Sequence, residues 1–215
     1  MSSIRDPEKT KQKILRVSRK LFMENGYDNT SIQDIIDGLG GMTKGAIYHH
    51  FKSKQDILET LINFEVDTEY KKMKNFEKGK TGLEKIKIIM INSLNAHNIQ
   101  SIIYSAQIVL KSPRMIGEQY LDILNMTPEI EEYIEEGIED GSITTKYPKE
   151  VAELLLMYFN LRIGIHLMEF SKKELIRKLN FIKDIFESLG VPFIDDEVIE
   201  YAEGLYDFLK KKDNS

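Results

Sequence analysis

Residues 30–54 read TSIQDIIDGLGGMTKGAIYHHFKSK, and this stretch decides the fold. Four apolar residues recur at positions i, i+3, i+4 and i+7, which predicts a short helix with one buried face: Ile32, Ile35, Ile36 and Leu39. Thr30 and Gln33 have the spacing of a capping box that would begin this helix. Gly40-Gly41 then ends it, since glycine permits the positive φ angles of a tight turn.

A second short helix follows the turn. Thr43 is its expected N-cap, and Ile47 and Phe51 face inward because they stand at i and i+4. Ser53 and Asp56 have the spacing of the next capping box, so a third helix begins directly afterwards. Two short helices joined by a glycine-bearing turn form the layout of a helix-turn-helix DNA reader.

The outward face of the second helix carries the candidate base contacts. A lysine and small residues at the N-terminal end of a helix allow it to enter the major groove closely and reach base edges. Lys52 and Lys54 flank the next cap, where cations can meet phosphates. The predicted DNA-binding residues are Thr30, Thr43, Lys44, Gly45, Ala46, Tyr48, His49, Lys52 and Lys54.

The segment 29–54 resembles the DNA-binding domain of TetR-type transcriptional repressors. In that family a threonine opens helix 2, a Ser/Thr-x-Gly-x-Leu/Ile-Tyr-x-x-Phe run forms the recognition helix, and a lysine opens helix 4. Thr30, the run from Thr43 to Phe51, and Lys54 stand at matching positions, although the turn Gly40-Gly41-Met42 is one residue longer. The resemblance covers about residues 10–60. It implies an all-α protein, with a three-helix reader followed by a larger helical domain for ligand binding and dimerisation.

Charge supports this division. Residues 1–54 contain 10 Lys or Arg and 6 Asp or Glu, a balance of +4, and residues 55–215 contain 20 and 29, a balance of −9. A basic surplus where the helix-turn-helix lies is the distribution that a duplex would favour. We therefore predict a DNA-binding domain at residues 1–54 and an effector-binding and dimerisation domain at residues 55–215.

The rest of the chain is expected to be helical throughout. No alternating pattern of useful length predicts a strand, and proline, glycine and capping residues divide the sequence into segments. The expected helices are Pro7–Asn25, Ser53 toward Lys78, Leu83–His97, Ile99–Lys111, one that begins at Thr127-Pro128, Val151–Met168, one capped by Ser171 with Glu174, and Asp195–Lys212.

Two of these helices have the pattern of an association surface. Residues 175, 179, 182, 186 and 189 repeat at spacings of four and three, as in a coiled coil, and Val151–Met168 is apolar on nearly all sides. The same patterns are typical of a core within one subunit, but helix-turn-helix readers commonly bind as dimers. We favour a homodimer, with an interface at Leu154, Tyr158, Leu175, Leu179, Ile182, Phe186 and Leu189.

A small-molecule pocket is implied for the C-terminal part. Ligand sites between helices are mostly apolar with a few polar anchors. Six polar residues stand on otherwise apolar helices and are the candidate effector contacts: Asn92, His97, Tyr104, Asn160, Arg162 and His166. For any single one of them, a satisfied core residue is the alternative interpretation.

Other classes of protein lack support in the sequence. The chain has no cysteine, and its four histidines do not form a metal-binding pattern, so we expect no metal site and no cofactor. No nucleophile motif or phosphate loop points to an enzyme. The seven carboxylates of residues 129–140 read as a solvated helix face, and Val151–Met168 is interrupted by polar residues, so we expect no membrane span and a cytoplasmic protein.

The sequence thus predicts a transcriptional regulator, most simply a repressor, that binds a palindromic operator in double-stranded DNA as a homodimer. A small-molecule effector would release it by a shift between two packings. An activator of the same fold is one alternative, and a helical interaction protein that does not bind DNA is the other.

Overall fold

The computed structural model describes residues 7–73 and 79–213. Within these residues the chain forms eleven α-helices and no strand, which confirms the all-α prediction. The helices are α1 (Pro7–Asn25), α2 (Ile32–Gly38), α3 (Lys44–His50), α4 (Lys54–Met73), α5 (Gly82–Asn95), α6 (His97–Ser105), α7 (Gln107–Leu110), α8 (Pro113–Asp140), α9 (Pro148–Met157), α10 (Lys172–Ser188) and α11 (Asp196–Asp213). The expected continuation of α4 to Lys78 lies outside the described residues.

The chain divides into two compact units. The first contains the described residues up to 68 together with 98–109, and the second contains 69–97 and the residues from 110 onward. The boundary therefore falls inside α4, and α6 and α7 belong mainly to the first unit. Compact packing does not test the functional division at residue 54, which stays a prediction.

In the first unit, α1 packs on both short helices and shares a core with them and with α4. Ile14 and Phe22 of α1, Ile35 of α2 and Ile47 of α3 are almost completely buried. These positions follow the i, i+3, i+4 spacing of the sequence, so the amphipathic pattern determines which face of each helix turns inward. Ile57, Leu58 and Leu61 at the start of α4 are buried as well.

A loop between α1 and α2 is held by two later parts of the chain. The backbone N–H of Tyr27 donates to the Ser105 hydroxyl of α6 at 3.1 Å. Its carbonyl accepts from the Lys54 ammonium of α4 at 2.7 Å. Both backbone groups of Tyr27 are thereby satisfied by side chains far away in the sequence, which fixes the point at which the chain enters α2.

The second unit has its core between α5, α8, α9, α10 and the segment that leads into α11. Ile86, Ile134, Val151, Phe186 and Phe193 are among its buried residues. Helices α5 and α8 approach each other closely at Gly82, where an added Cβ would lie 2.2 Å from the backbone carbonyl oxygen of Tyr133 and the backbone nitrogen of Gly137. Only a glycine permits α5 and α8 to come so near.

Helix α8 overturns one predicted boundary. A helix start was expected at Thr127-Pro128, but α8 runs from Pro113 to Asp140 with Pro128 inside it. Proline cannot donate the usual hydrogen bond, yet the helix continues because Ile123, Ile130 and Ile134 bury one face across it. Packing on both sides of the proline therefore outweighs the lost bond.

The segment after α9 also differs from its prediction. Instead of one helix over Val151–Met168, α9 ends at Met157 and is followed by a π-helix (Tyr158–Ile163) and a 3₁₀ helix (Gly164–Glu169). The Asn160 side chain donates to the Leu156 carbonyl at 2.9 Å, the acceptor that an α-helix would use for the Asn160 N–H. Likewise, the expected helix Ile99–Lys111 is divided at Ala106 into α6 and α7.

The coiled-coil-like spacing on α10 marks the core of a single chain. Leu175, Leu179, Ile182 and Phe186 are each at most 2% exposed. The chain's own residues cover them, so they have no surface left for a partner, and their assignment to a dimer interface was wrong. Leu154, Tyr158 and Leu189 are partly buried at the edge of the same core.

Candidate nucleic-acid interface

The N-cap of α2 lies one residue after the predicted N-cap, Thr30. Ser31 is the N-cap: its hydroxyl accepts from the Asp34 N–H at 3.1 Å, and its own N–H donates to the Asp34 carboxylate at 2.7 Å. These two bonds form a capping box. The Ser31 N–H and the Ser31 hydroxyl, which donates to the same carboxylate at 2.7 Å, hold the pKa of Asp34 below its usual value. Thr30 is only 1% exposed, and its hydroxyl donates to the Gly26 carbonyl at 2.8 Å.

The correction has a physical reason. Two neighbouring hydroxyl residues, Thr30 and Ser31, are both good caps, and only the packing of α1 decides which of them turns outward. The local spacing allows either cap, because Gln33 stands three residues after Thr30 and Asp34 stands three residues after Ser31. Ser31 is exposed at the start of α2, whereas Thr30 stabilises the loop from inside.

The turn and the second helix form as the sequence predicted. Gly40 and Gly41 have φ angles of +64° and +100°, which other residues rarely adopt. The Thr43 hydroxyl then accepts from the Ala46 N–H at 3.3 Å and caps α3. The two glycines let the chain reverse within the five residues that connect α2 and α3.

Helix α3 presents a continuous outward face. Thr43, Lys44, Gly45, Tyr48 and His49 are exposed, while Ala46 is half-buried. Tyr48 keeps 46% of its surface exposed although it is aromatic, and the Lys44 ammonium lies 5.9 Å from its ring centroid. Small residues flanked by a cation and two rings leave room for the edge of a base pair.

The two lysines after α3 have different surroundings. Lys52 is exposed, and its backbone N–H donates to the Asp56 carboxylate at 2.7 Å. The expected capping box is thus half formed, since Ser53 accepts from the Asp56 N–H at 3.0 Å while the carboxylate binds Lys52. The ammonium group of Lys52 takes no part in these bonds, so it can contact a phosphate.

Lys54 is directed toward the protein. Its ammonium donates to the carbonyls of Tyr27 at 2.7 Å and Thr30 at 2.8 Å and lies 4.1 Å from the Tyr27 ring centroid. Burial lowers the pKa of Lys54, and burial together with Asp28 and Glu59 raises the pKa of Tyr27 to about 12. Two of the three ammonium protons of Lys54 are used to hold the loop that precedes α2.

The six candidate effector residues are spread over both units. Tyr104 belongs to the first unit, and the other five belong to the second. His97 stacks on Phe208 with 4.4 Å between ring centroids, and the Arg162 guanidinium lies 5.7 Å from the Phe170 ring. His166 binds Glu169 at 2.6 Å, Asn160 binds the Leu156 carbonyl, and Asn92 is half-buried in α5. Their role in effector binding stays a prediction.

The described part of the chain has neither a metal-binding cluster nor a membrane-spanning helix. Its His, Asp and Glu side chains form no group of three or more that could hold a metal ion. None of its helices is long and apolar enough to span a membrane.

Comparison with known sequences identifies the N-terminal segment. Residues 14–61 match the sequence profile of a family described as bacterial regulatory proteins, tetR family. An uncharacterised helix-turn-helix transcriptional regulator of Bacillus subtilis, YerO, is 38% identical over 72 residues, which are 34% of this chain and 25% of that protein. The helix-turn-helix transcriptional repressor KstR2 of Mycobacterium tuberculosis is 27% identical over 60% of this chain and 66% of its own length.

Solved structures share the whole fold. A TetR-family transcriptional regulator from Pectobacterium atrosepticum has a TM-score of 0.67 at 21% identity, over 88% of this chain and 98% of that one. A transcriptional regulator from Cytophaga hutchinsonii has a TM-score of 0.60 at 16% identity, over 93% and 96%. The first listed sequence relatives are matched over a quarter to about two thirds of their length, and the solved structures over nearly all of theirs. The profile match and the sequence relatives thus assign residues 14–61 to the tetR family of bacterial regulatory proteins, and the solved structures share the fold of the whole chain.

Proposed function

We propose that this protein is a ligand-responsive transcriptional repressor that binds a palindromic operator as a homodimer. The observation that carries the proposal is the outward face of α3, where Lys44, Tyr48 and His49 are exposed beside small residues. The relatives that are described as repressors support the direction of control. Two α3 helices in successive major grooves would have to lie about 34–36 Å apart.

A second copy would cover an apolar surface that the structure leaves open. On α10, Phe181 is 57% exposed and stands one turn from the half-buried Ile185. On α9, Met157 is exposed beside the half-buried Leu154 and Tyr158. Large apolar side chains that remain exposed on two helices suit a self-complementary contact. The proposed dimer surface therefore keeps Leu154 and Tyr158 and replaces the buried residues of α10 by Phe181 and Ile185.

The response to an effector would pass through Tyr27. Helices α4 and α6 each hold one backbone group of this residue, through Lys54 and Ser105. The chain continues from both helices into the second unit, where the effector pocket is expected. An effector that favours a different position of α4 or α6 would therefore shift the start of α2 and reorient α3. A few ångströms of change in half-site separation would weaken operator binding.

A salt titration of duplex binding tests the proposal. Fluorescence anisotropy of a labelled 24-base-pair duplex of mixed sequence is measured from roughly 50 to 200 mM salt, a range over which several phosphate contacts lose about three orders of magnitude in affinity. We expect a linear decrease of log affinity with log salt. The Lys52→Ala variant should have a smaller slope, while Lys20→Ala, an exposed lysine on α1, should match the wild type. Absence of salt-dependent binding would favour the interaction protein that does not bind DNA.

The operator and the direction of control need a further measurement. Selection of bound duplexes from a random library should yield an inverted repeat, because a two-fold dimer reads two equal half-sites. Placing that repeat over a promoter and measuring transcription with and without the protein distinguishes the repressor from the activator.

A further inference from the structure

A groove beside α3 joins the outward face of this helix to residues of α1 that no contact described above uses. It has a volume of about 510 Å³ and is formed within the first unit by the beginning of α1, the turn between α2 and α3, and the flank of α3. His49 stands where this groove meets the outward face of α3, and His50 stands further inside. The groove thus continues sideways from the surface proposed to enter the major groove.

The chemistry of the groove suits an anion. The side chains of Thr10, Lys13, His49 and His50 contribute hydrogen-bond donors, and no Asp or Glu lines it. Lys13 already donates to the Leu39 carbonyl at 3.1 Å, which holds its ammonium beside the turn. A fixed cation beside further hydrogen-bond donors attracts a phosphate without prior rearrangement.

The shape of the groove suits a strand that passes through it. Gly40 and Gly41 are exposed, and a Cβ added to either would meet nothing within 4 Å. The space above the turn is therefore open, so a sugar-phosphate backbone can approach the peptide groups closely. The lining is mainly polar or glycine, whereas small-molecule sites are mostly apolar and enclosed.

We infer that this groove holds the phosphate backbone of the duplex, so that Thr10 on α1 contacts the strand that flanks the base pairs read by α3. The inference rests on the proposed function and adds a contact from a helix outside the helix-turn-helix. Contacts to phosphates set the register of the protein on the duplex and carry no sequence information. The groove would consequently fix how deeply and at what angle α3 enters the major groove.

Charge substitutions at Thr10 test the inference, with Gln12 as the matched control. Gln12 is exposed on the same helix two residues away and does not line the groove. We expect Thr10→Lys to tighten binding of the 24-base-pair duplex and to steepen the salt slope by about 0.9 per half-site. Thr10→Glu should weaken binding about fivefold or more relative to Gln12→Glu. A gain of affinity in Thr10→Lys cannot arise from misfolding.

Three outcomes would overturn the inference. If the Thr10 and Gln12 variants change affinity and slope equally, the effect is general electrostatics and the groove lies off the path of the DNA. If inorganic phosphate raises the melting temperature of the wild type but not of Thr10→Glu, while duplex affinity is equal in both, the groove is a site for a free anion. If Thr10→Lys leaves the slope unchanged, no phosphate lies there. Wild-type protein that shows no salt-dependent binding at all would instead contradict the proposed function.

Discussion

The Lys54 ammonium donates to the carbonyl oxygen of Tyr27 at 2.7 Å and to that of Thr30 at 2.8 Å. A lysine that the sequence assigns to phosphate thus holds the loop that leads into α2. Its position beside the Tyr27 ring, 4.1 Å from the centroid, adds a second favourable contact. We therefore expect Lys54 to affect DNA binding through the placement of the helix-turn-helix.

The first prediction concerns this lysine. Lys54→Ala should lower the free energy of unfolding by about 1.5–3 kcal/mol, since it removes hydrogen bonds from a charged donor to two carbonyls. Duplex affinity should fall, but the salt slope should change by less than the roughly 0.9 per half-site expected for a lost phosphate contact. Lys52→Ala is the comparison, and it should lose slope without losing stability. If Lys54→Ala reduces the salt slope by the full amount of about 0.9 per half-site and leaves the stability unchanged, Lys54 contacts a phosphate instead.

The second prediction is that Lys44→Ala alters specificity. Lys44 stands on the first turn of α3 and is exposed, so it can reach guanine O6 and N7. Against the selected operator, the variant should lose about 1–3 kcal/mol of discrimination at one base pair of each half-site. Affinities for a set of single-base operator variants measure this. A uniform loss over all sequences would make Lys44 a phosphate contact.

The third prediction separates the dimer surface from the core of α10. Phe181→Glu should dissociate the dimer while the subunit stays folded, because Phe181 is 57% exposed in the single chain. Leu179→Glu, two residues earlier, should unfold the second unit, since it buries an unpaired charge at a position only 2% exposed. Light scattering and circular dichroism on both variants distinguish the two effects. If the Phe181→Glu protein remains dimeric, this face of α10 does not lie in the dimer interface.

The fourth prediction concerns the crossing of α5 and α8. Gly82→Ala should destabilise the protein by about 1–3 kcal/mol or more, because its Cβ would meet backbone atoms of Tyr133 and Gly137 at 2.2 Å, and backbone cannot move aside cheaply. Gly117→Ala on α8 is the control: that glycine is exposed, a Cβ there meets nothing, and alanine should stabilise the helix by about 0.5–1 kcal/mol. Urea unfolding should show a lower free energy of unfolding for Gly82→Ala and a higher one for Gly117→Ala.

The fifth prediction is a pH dependence at the same crossing. The Asp140 carboxylate accepts from the Gly82 N–H at 2.8 Å and from the Ser142 N–H at 2.9 Å. Hydrogen bonds from the Ser142 side chain and the Gly82 amide hold the pKa of Asp140 below its usual value. A lowered folded-state pKa stabilises the protein above the unfolded value of about 3.9, and this stabilisation is lost as the pH falls through the folded value.

Asp140→Asn therefore should lower the urea midpoint at pH 7 and reduce its decline between pH 5 and 2. Glu139→Gln, at an exposed neighbouring position, is the control and should leave the decline close to that of the wild type. Equal declines in all three proteins would show that the bonds of Asp140 do not contribute to folding.

The sequence predicts the helix-turn-helix well because local patterns determine its structure. The stripe of Ile35 and Leu39, the cap at Thr43 and the paired glycines each act over a few residues, and each forms as expected. The choice between Thr30 and Ser31 failed because it depends on how α1 packs, which no window of a few residues contains. Lys54 was assigned to phosphate for the same reason, since its two acceptors lie 24 and 27 residues earlier.

The second unit was predicted less well because non-local packing decides it. Pro128 is a strong local signal for a boundary, yet buried residues before and after it keep α8 in one piece. On α10, the spacing of Leu175, Leu179 and Ile182 indicates one buried face but cannot tell whether the same chain or a second one covers it. A groove such as the one beside Thr10 combines residues from three segments and has no signature in any of them.

The hydrogen bond between Tyr27 and Ser105 has a consequence for fusing the N-terminal helices to another regulator. The Tyr27 N–H is paired with a hydroxyl 78 residues further along the chain, so the three-helix unit is completed only when α6 has arrived. A segment cut at residue 54 and fused to another regulator would leave that N–H without Ser105 and the loop without one of its two anchors. We therefore expect a transplanted helix-turn-helix unit to be more stable when α6 is carried along with it, because the Tyr27 N–H then keeps its partner.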